Sequence, residues 1–147
     1  MTRTSCAGYI IYCDMILLVH PTGFSWKLWS APKGICEPSE SEEDAMYREV
    51  YEETNIALAD YPHKIVDIGR KKYKYKNKMI HGYVIILSDW DYPDIFCSST
   101  FMTDDGIIYP EVDAFMWTPL RSMKNVIADV QYELFDENRN LFERLIK

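Results

Sequence analysis

The sequence predicts an α/β (α+β) fold in which a mixed β-sheet is sandwiched between helices. Three observations carry that prediction. Paired β-rich apolar runs open the chain and recur in its middle, a strongly acidic helical segment separates the two pairs, and an amphipathic helical pattern closes the chain. The length of 147 residues suits a single domain spanning 1–147. A composition of 48% hydrophobic and 27% charged residues is that of a globular chain, which argues against intrinsic disorder.

The elements follow in order. Ser5–Tyr12 and Met15–His20 read as two strands joined by a hairpin at Cys13-Asp14. Pro21-Thr22-Gly23 marks a turn, and the aromatic segment 24–29 follows, with Phe24, Trp26 and Trp29 expected in the core or at the lip of a site. Residues 31–41 hold two prolines and a glycine and are expected to form an irregular loop. Ser41 is suited to cap a helix whose first turn carries Glu42, Glu43 and Asp44. Ala45, Met46, Tyr47 and Val50 supply its inward stripe, and Asn55 its left-handed stop. Ile65–Lys76 and Met79–Ser88 read as long strands around a tight turn. Residues 89–110 read as loop, Ala114–Thr118 as a short strand, and Asp136 as the cap of a last helix burying Leu141, Phe142, Leu145 and Ile146.

Composition excludes several functions. A net charge of -7 disfavours a general affinity for nucleic acid. No apolar run approaches the roughly 18 residues needed to span a bilayer, and no secretory signal opens the chain. The four cysteines show no C-x-x-C pair, as expected of a reduced, cytoplasmic protein.

The chemistry concentrates in residues 34–56. At about 100° per residue, Glu49, Glu52 and Glu53 share one helix face. Carboxylates so placed repel one another unless a cation lies between them, and Mg²⁺ or Mn²⁺ suits an all-oxygen set. Scattered His20, His63 and His81 offer no zinc set. The alternative for the acidic face alone is simple solvation.

The wider spacing goes further. Gly34, Glu40, Arg48, Glu49, Val50, Glu52, Glu53 and Ile56 fit the signature G-x5-E-x7-R-E-U-x-E-E-x-G-U of the Nudix hydrolases, which the chain resembles. Asn55 stands where the family has glycine, and asparagine tolerates the left-handed conformation required there. The resemblance implies the Nudix fold, with its loop–helix–loop signature, and metal-dependent hydrolysis of a nucleoside diphosphate linked to a group X. It implies that Glu49, Glu52 and Glu53 hold divalent ions, with the Gly34 carbonyl and Glu111 as further ligands. Arg48 and Glu40 are expected to pair and fix the loop against the helix. Glu52 or Glu111 is the general base, with Asp104, Asp105 and Asp113 competing with Glu111.

Trp29-Ser30-Ala31-Pro32-Lys33-Gly34 is similar to the subgroup that cleaves dinucleoside polyphosphates such as diadenosine tetraphosphate. Lys33 is positioned to pair with a phosphate. Strand alternation places Tyr73 and Tyr75 on one face with Lys71, suited to stacking on a base or merely to packing. His81 and Tyr83 on the paired strand are further substrate-binding candidates, with a packed histidine as the alternative for His81. The rival substrates are the 5′ end of RNA, which the basic stretch 70–78 would carry, and ADP-ribose, NADH or nucleoside triphosphates. A non-catalytic Nudix-fold nucleotide-binding module is the alternative from another class.

Overall fold

The computed structural model describes residues 2–88 and 94–146. Its centre is β1 (Arg3–Tyr12), whose residues 5–11 are all buried. A strand covered on both faces reads as a continuous apolar run, as this one does. β1 turns through Cys13 and Asp14, both at positive φ, into β2 (Met15–Pro21), confirming the expected hairpin. The two strands pair only beside that turn, at Ile11–Ile16 and Tyr12–Met15. Farther on they diverge, and residues 29–35 fill the gap. Ser30 exchanges backbone hydrogen bonds with Val19, while β3 (Lys33–Ile35) pairs with Ser5–Ala7 of β1. The expected irregular loop over 31–41 thus contains a short strand, formed because β1 offers an open edge there.

Helix α1 (Glu42–Thr54) begins and ends as its sequence dictates. Ser41 Oγ accepts the Asp44 N–H at 3.1 Å, and Asn55 ends the helix at φ 68°. Its Ala45, Met46 and Val50 pack on Cys6, Ile10 and Leu17 of the sheet. The approach is close at Gly8, where a Cβ would stand 2.9 Å from Val50 Cγ2.

A ten-residue strand β4 (His63–Lys72) pairs antiparallel with β5 (Lys78–Leu87), and β5 runs parallel to β1. β4 is shorter at its end than the expected Ile65–Lys76. A bulge at Gly69, φ 86°, breaks its register, and residues 73–77 form the connection instead. Within the expected loop 89–110, of which 89–93 lie outside the described residues, β6 (Thr100–Met102) and β7 (Ile108–Pro110) form an exposed hairpin. β8 (Val112–Pro119) then pairs with β2, giving the sheet order β4-β5-β1-β2-β8.

Short α2 (Met123–Val126), α3 (Asp129–Glu137) and α4 (Arg139–Ile146) cover the opposite face, where Phe135 and Phe142 pack with Tyr9 and Val84. The last helix expected from Asp136 is α4, which begins at Arg139, and α3 before it was not expected. Asp136 lies at the end of α3 and pairs with Arg139, while Asn138 interrupts the helix and donates to the Leu134 carbonyl. Among the described residues no helix is long and apolar enough to cross a membrane.

Candidate active site

The wedge over 29–35, helix α1 and the β6–β7 hairpin meet around a cavity of about 650 Å³. Glu49 and Glu53 reach it from α1, Gly34 and Lys33 from β3, Tyr73 and Lys76 from the β4–β5 connection, Lys78 from the start of β5, and Glu111 from the end of the hairpin. The lining is therefore both acidic and cationic, with Phe24, Trp29 and Phe101 as aromatic wall.

Gly34 is required here by close approach. A Cβ at this position would fall 2.0 Å from the Glu49 carboxyl carbon, so only glycine lets that carboxylate lie against the loop backbone. Glu53 accepts the Lys33 backbone N–H at 3.2 Å. Burial raises Glu49 to about 7 and Glu53 to about 8, against an ordinary 4.5. Charge on Glu49 and Glu111 pushes Glu53 further upward, so these three carboxylates feel one another across the cavity.

Arg48 fastens this face to the loop. Its guanidinium takes both oxygens of Glu40, at 2.6 and 3.1 Å, and the Ile35 carbonyl at 3.1 Å. It also reaches Glu49 at 2.7 Å and Glu52 at 3.2 Å. The Arg48 hydrogen bond holds Glu40 below the usual carboxylate range. Glu52 is more exposed and stands beside the cavity rather than in its lining.

The donor chemistry fits a hard divalent cation: three glutamates of α1, two of them nearly buried, plus Glu111 and the loop backbone. Buried, mutually repelling carboxylates are the arrangement that such a cation relieves. Among the described residues no three acidic, histidine or cysteine side chains converge as a ready-made cluster. Arg48 instead spans Glu49 and Glu52.

Among the lysines of the lining, burial pushes Lys78 down to about 8, with the charges of Lys33, Lys76 and Arg3 adding to the effect. Burial also lowers Lys33, against the opposing pull of Glu53. Ammonium groups crowded in this way favour an anion between them.

The structure thus brings Lys33, Gly34, Glu49, Glu53, Tyr73 and Glu111 together and sets Glu40, Arg48 and Glu52 next to them. The other candidates lie elsewhere. Lys71 points away, bound to Glu137 at 2.5 Å and near Glu133. Tyr75 is 87% exposed and borders a smaller adjoining groove, because the chain has left the strand before it and Tyr73 and Tyr75 no longer share a pleat. His81 and Tyr83 are buried under α1: odd-numbered residues of β5 face that helix, and His81 pairs with Glu42 and Asp67. Asp104 and Asp105 lie at the hairpin tip and Asp113 pairs with His20. Lys76, Lys78 and Phe101 were not singled out in the sequence. The lack of acids in 70–78 was the available signal for the lysines.

Comparison with known proteins agrees with this architecture. The NUDIX domain model matches residues 2–137. An uncharacterised 17.7 kDa protein of Enterobacteria phage T4, from the e-segB intergenic region, is 32% identical over 123 residues, covering 82% of this chain and 79% of the relative. Among solved structures, a bifunctional NMN adenylyltransferase/ADP ribose pyrophosphatase from Francisella tularensis, complexed with AMP and Mn, superposes with a TM-score of 0.67 at 20% identity. That match covers 97% of this chain but only 42% of the Francisella protein, so the chain spans about two-fifths of it. A C. elegans Ap4A hydrolase gives 0.65 at 19% identity, covering 97% and 98% of the two chains. The NUDIX domain of Shewanella oneidensis NrtR, complexed with ADP ribose, gives 0.67 at 15% identity, covering 96% and 89%. The chain belongs to the NUDIX domain family.

Proposed function

We propose that this protein is a divalent-cation-dependent pyrophosphohydrolase acting on a nucleoside diphosphate linked to X, with dinucleoside polyphosphates such as diadenosine tetraphosphate as its substrate class. The single observation that carries this reading is the make-up of the cavity, whose lining combines the carboxylates Glu49, Glu53 and Glu111, the cations Lys33, Lys76 and Lys78, and the aromatic side chains Phe24, Trp29, Tyr73 and Phe101. A long polyphosphate with aromatic end groups matches that layout.

Glu49, Glu52 and Glu53 would hold Mg²⁺ or Mn²⁺, with Glu111 and the Gly34 carbonyl as further donors. Bound there, such a cation would supply charge neutralisation for pyrophosphate oxygens and a lowered pKa for water. Arg48, clamped to Glu40, positions Glu49 and Glu52 relative to the loop. Lys33 and Lys78 draw the phosphate chain toward the carboxylates. Glu111 or Glu52 accepts the proton of the attacking water, and Tyr73 flanks the phosphates from the wall. Residues 1–147 act as one domain.

The test incubates the protein and Mg²⁺ or Mn²⁺ with diadenosine polyphosphates, ADP-ribose, NADH, nucleoside triphosphates and 5′-triphosphate RNA, and identifies the products by chromatography. Preferred cleavage of the diadenosine compounds is expected. Preference for ADP-ribose would replace the substrate class, and salt-sensitive turnover of the RNA would assign the basic connection 70–78 to a trailing strand. Absence of hydrolysis throughout would overturn the reading.

A further inference from the structure

One polar pair beside the cavity, a buried histidine with a partly exposed aspartate, plays no part in the proposed chemistry. His20, at the end of β2 and next to the bulge before Pro21, is only 1% exposed. Its Nδ1 lies 2.6 Å from Asp113 Oδ1, and its Nε2 lies 3.1 Å from the Ser25 carbonyl oxygen. A carbonyl only accepts, so Nε2 carries a proton and donates it. The ring also stacks on Trp26, with centroids 4.0 Å apart and planes 12° from parallel, and meets Trp29 edge-on at 5.4 Å.

These contacts join two segments that bound the cavity from different sides. The loop after His20 supplies Phe24, Leu28 and Trp29 to the lining. Its far end is held at Trp29, whose N–H donates to the Val126 carbonyl. Its middle, at Ser25 and Trp26, is held by the His20 ring. Asp113 lies two residues beyond Glu111, on the strand that leaves the cavity, and the Thr22 N–H donates to the Glu111 carbonyl at 3.0 Å. The same imidazole therefore fixes the aromatic wall and, through Asp113, the strand carrying an acidic member of the site.

We propose that His20 and Asp113 are positioning residues that set the aromatic wall relative to Glu111 and thereby govern affinity for the nucleoside end of the substrate. This rests on the nucleotide-hydrolase reading above. Neither side chain touches the reacting atoms. Their loss loosens binding of the nucleoside more than it slows bond cleavage.

The experiment compares wild type, His20→Phe, Asp113→Leu and Asp113→Asn. His20→Phe keeps an aromatic ring against Trp26 but removes both hydrogen bonds. Asp113→Asn keeps a polar partner for Nδ1, and Asp113→Leu does not. Asp113 is partly exposed, so its variants serve if His20→Phe fails to fold, with thermal unfolding as the check. Steady-state kinetics with diadenosine tetraphosphate and ADP-ribose are paired with AMP titrations followed by tryptophan fluorescence. Expected is a rise of about tenfold in KM and in the AMP Kd for His20→Phe and Asp113→Leu, with kcat within about threefold and Asp113→Asn near wild type. An active wild type whose folded variants keep KM and Kd unchanged, or lose kcat alone, overturns the proposal. A wild type that neither binds AMP nor hydrolyses any substrate overturns the nucleotide reading itself.

Discussion

The acidic face of α1 and the lysines and aromatic residues around it line the same cavity but are built in different ways. The acidic face comes from one continuous stretch, Gly34 to Ile56, in which helix period, cap and glycine close approach all follow from local sequence. The wall comes from the loop after β2, Lys33 of β3, the β4–β5 connection with Lys78 at the start of β5, and the β6–β7 hairpin, which only the sheet topology brings together. The difference indicates a division of labour. Chemistry that needs several carboxylates at fixed spacing is placed on one rigid helix, whereas recognition is spread over connections free to vary.

If that division holds, changes on the helix act on turnover and changes in the wall act on binding. The largest effect is expected for Glu53→Gln, which should lower kcat by roughly a thousandfold or more while KM stays within a few fold. A change dominated by KM would break the division. Gly34→Ala should come next, with kcat down by about a hundredfold as the new methyl displaces the Glu49 carboxylate, read out by the same kinetics. Lys78→Ala should raise KM for diadenosine tetraphosphate by about tenfold with kcat little changed, while Tyr75→Ala, outside the cavity, should leave both within about twofold.

The smallest effect concerns stability without metal. Glu49 and Glu53 titrate near 7 and 8 in the folded chain against 4.5 ordinarily. Between about pH 5 and 8 the folded state therefore holds protons that the unfolded chain has released, so stability falls as pH rises. Thermal melts of chelator-treated protein should show a Tm decreasing across that window. Added Mn²⁺ should restore more of it at pH 8 than at pH 5.5, because the cation replaces the protons. A Tm flat or rising across the window would show these carboxylates to be compensated in another way.

The same contrast explains what was legible in the sequence. Ser41 and Asn55 are local signals, and both ends of α1 lie where those residues place them. The Cys13-Asp14 hairpin is equally local. By contrast, β3 exists only because β1 and β2 diverge and leave an edge to fill, which no property of 33–35 reveals. The Lys/Tyr alternation of 71–76 looked like strand, yet the bulge at Gly69 and the turn geometry end the pairing at Lys72. That early end sends Tyr73, Lys76 and Lys78 to the cavity and leaves Tyr75 outside. The parity of β5 relative to α1 decided the burial of His81 and Tyr83, and parity depends on a parallel pairing with β1 between strands far apart in sequence.

A titration of Mn²⁺ into wild type and Glu53→Gln, following free Mn²⁺ by electron paramagnetic resonance at pH 8, tests the central claim most directly. The account predicts that wild type depletes the free-ion signal, that a nucleotide deepens the depletion, and that Glu53→Gln loses most of it while still folded. Equal depletion by both proteins, or none by wild type even with diadenosine tetraphosphate present, would contradict it.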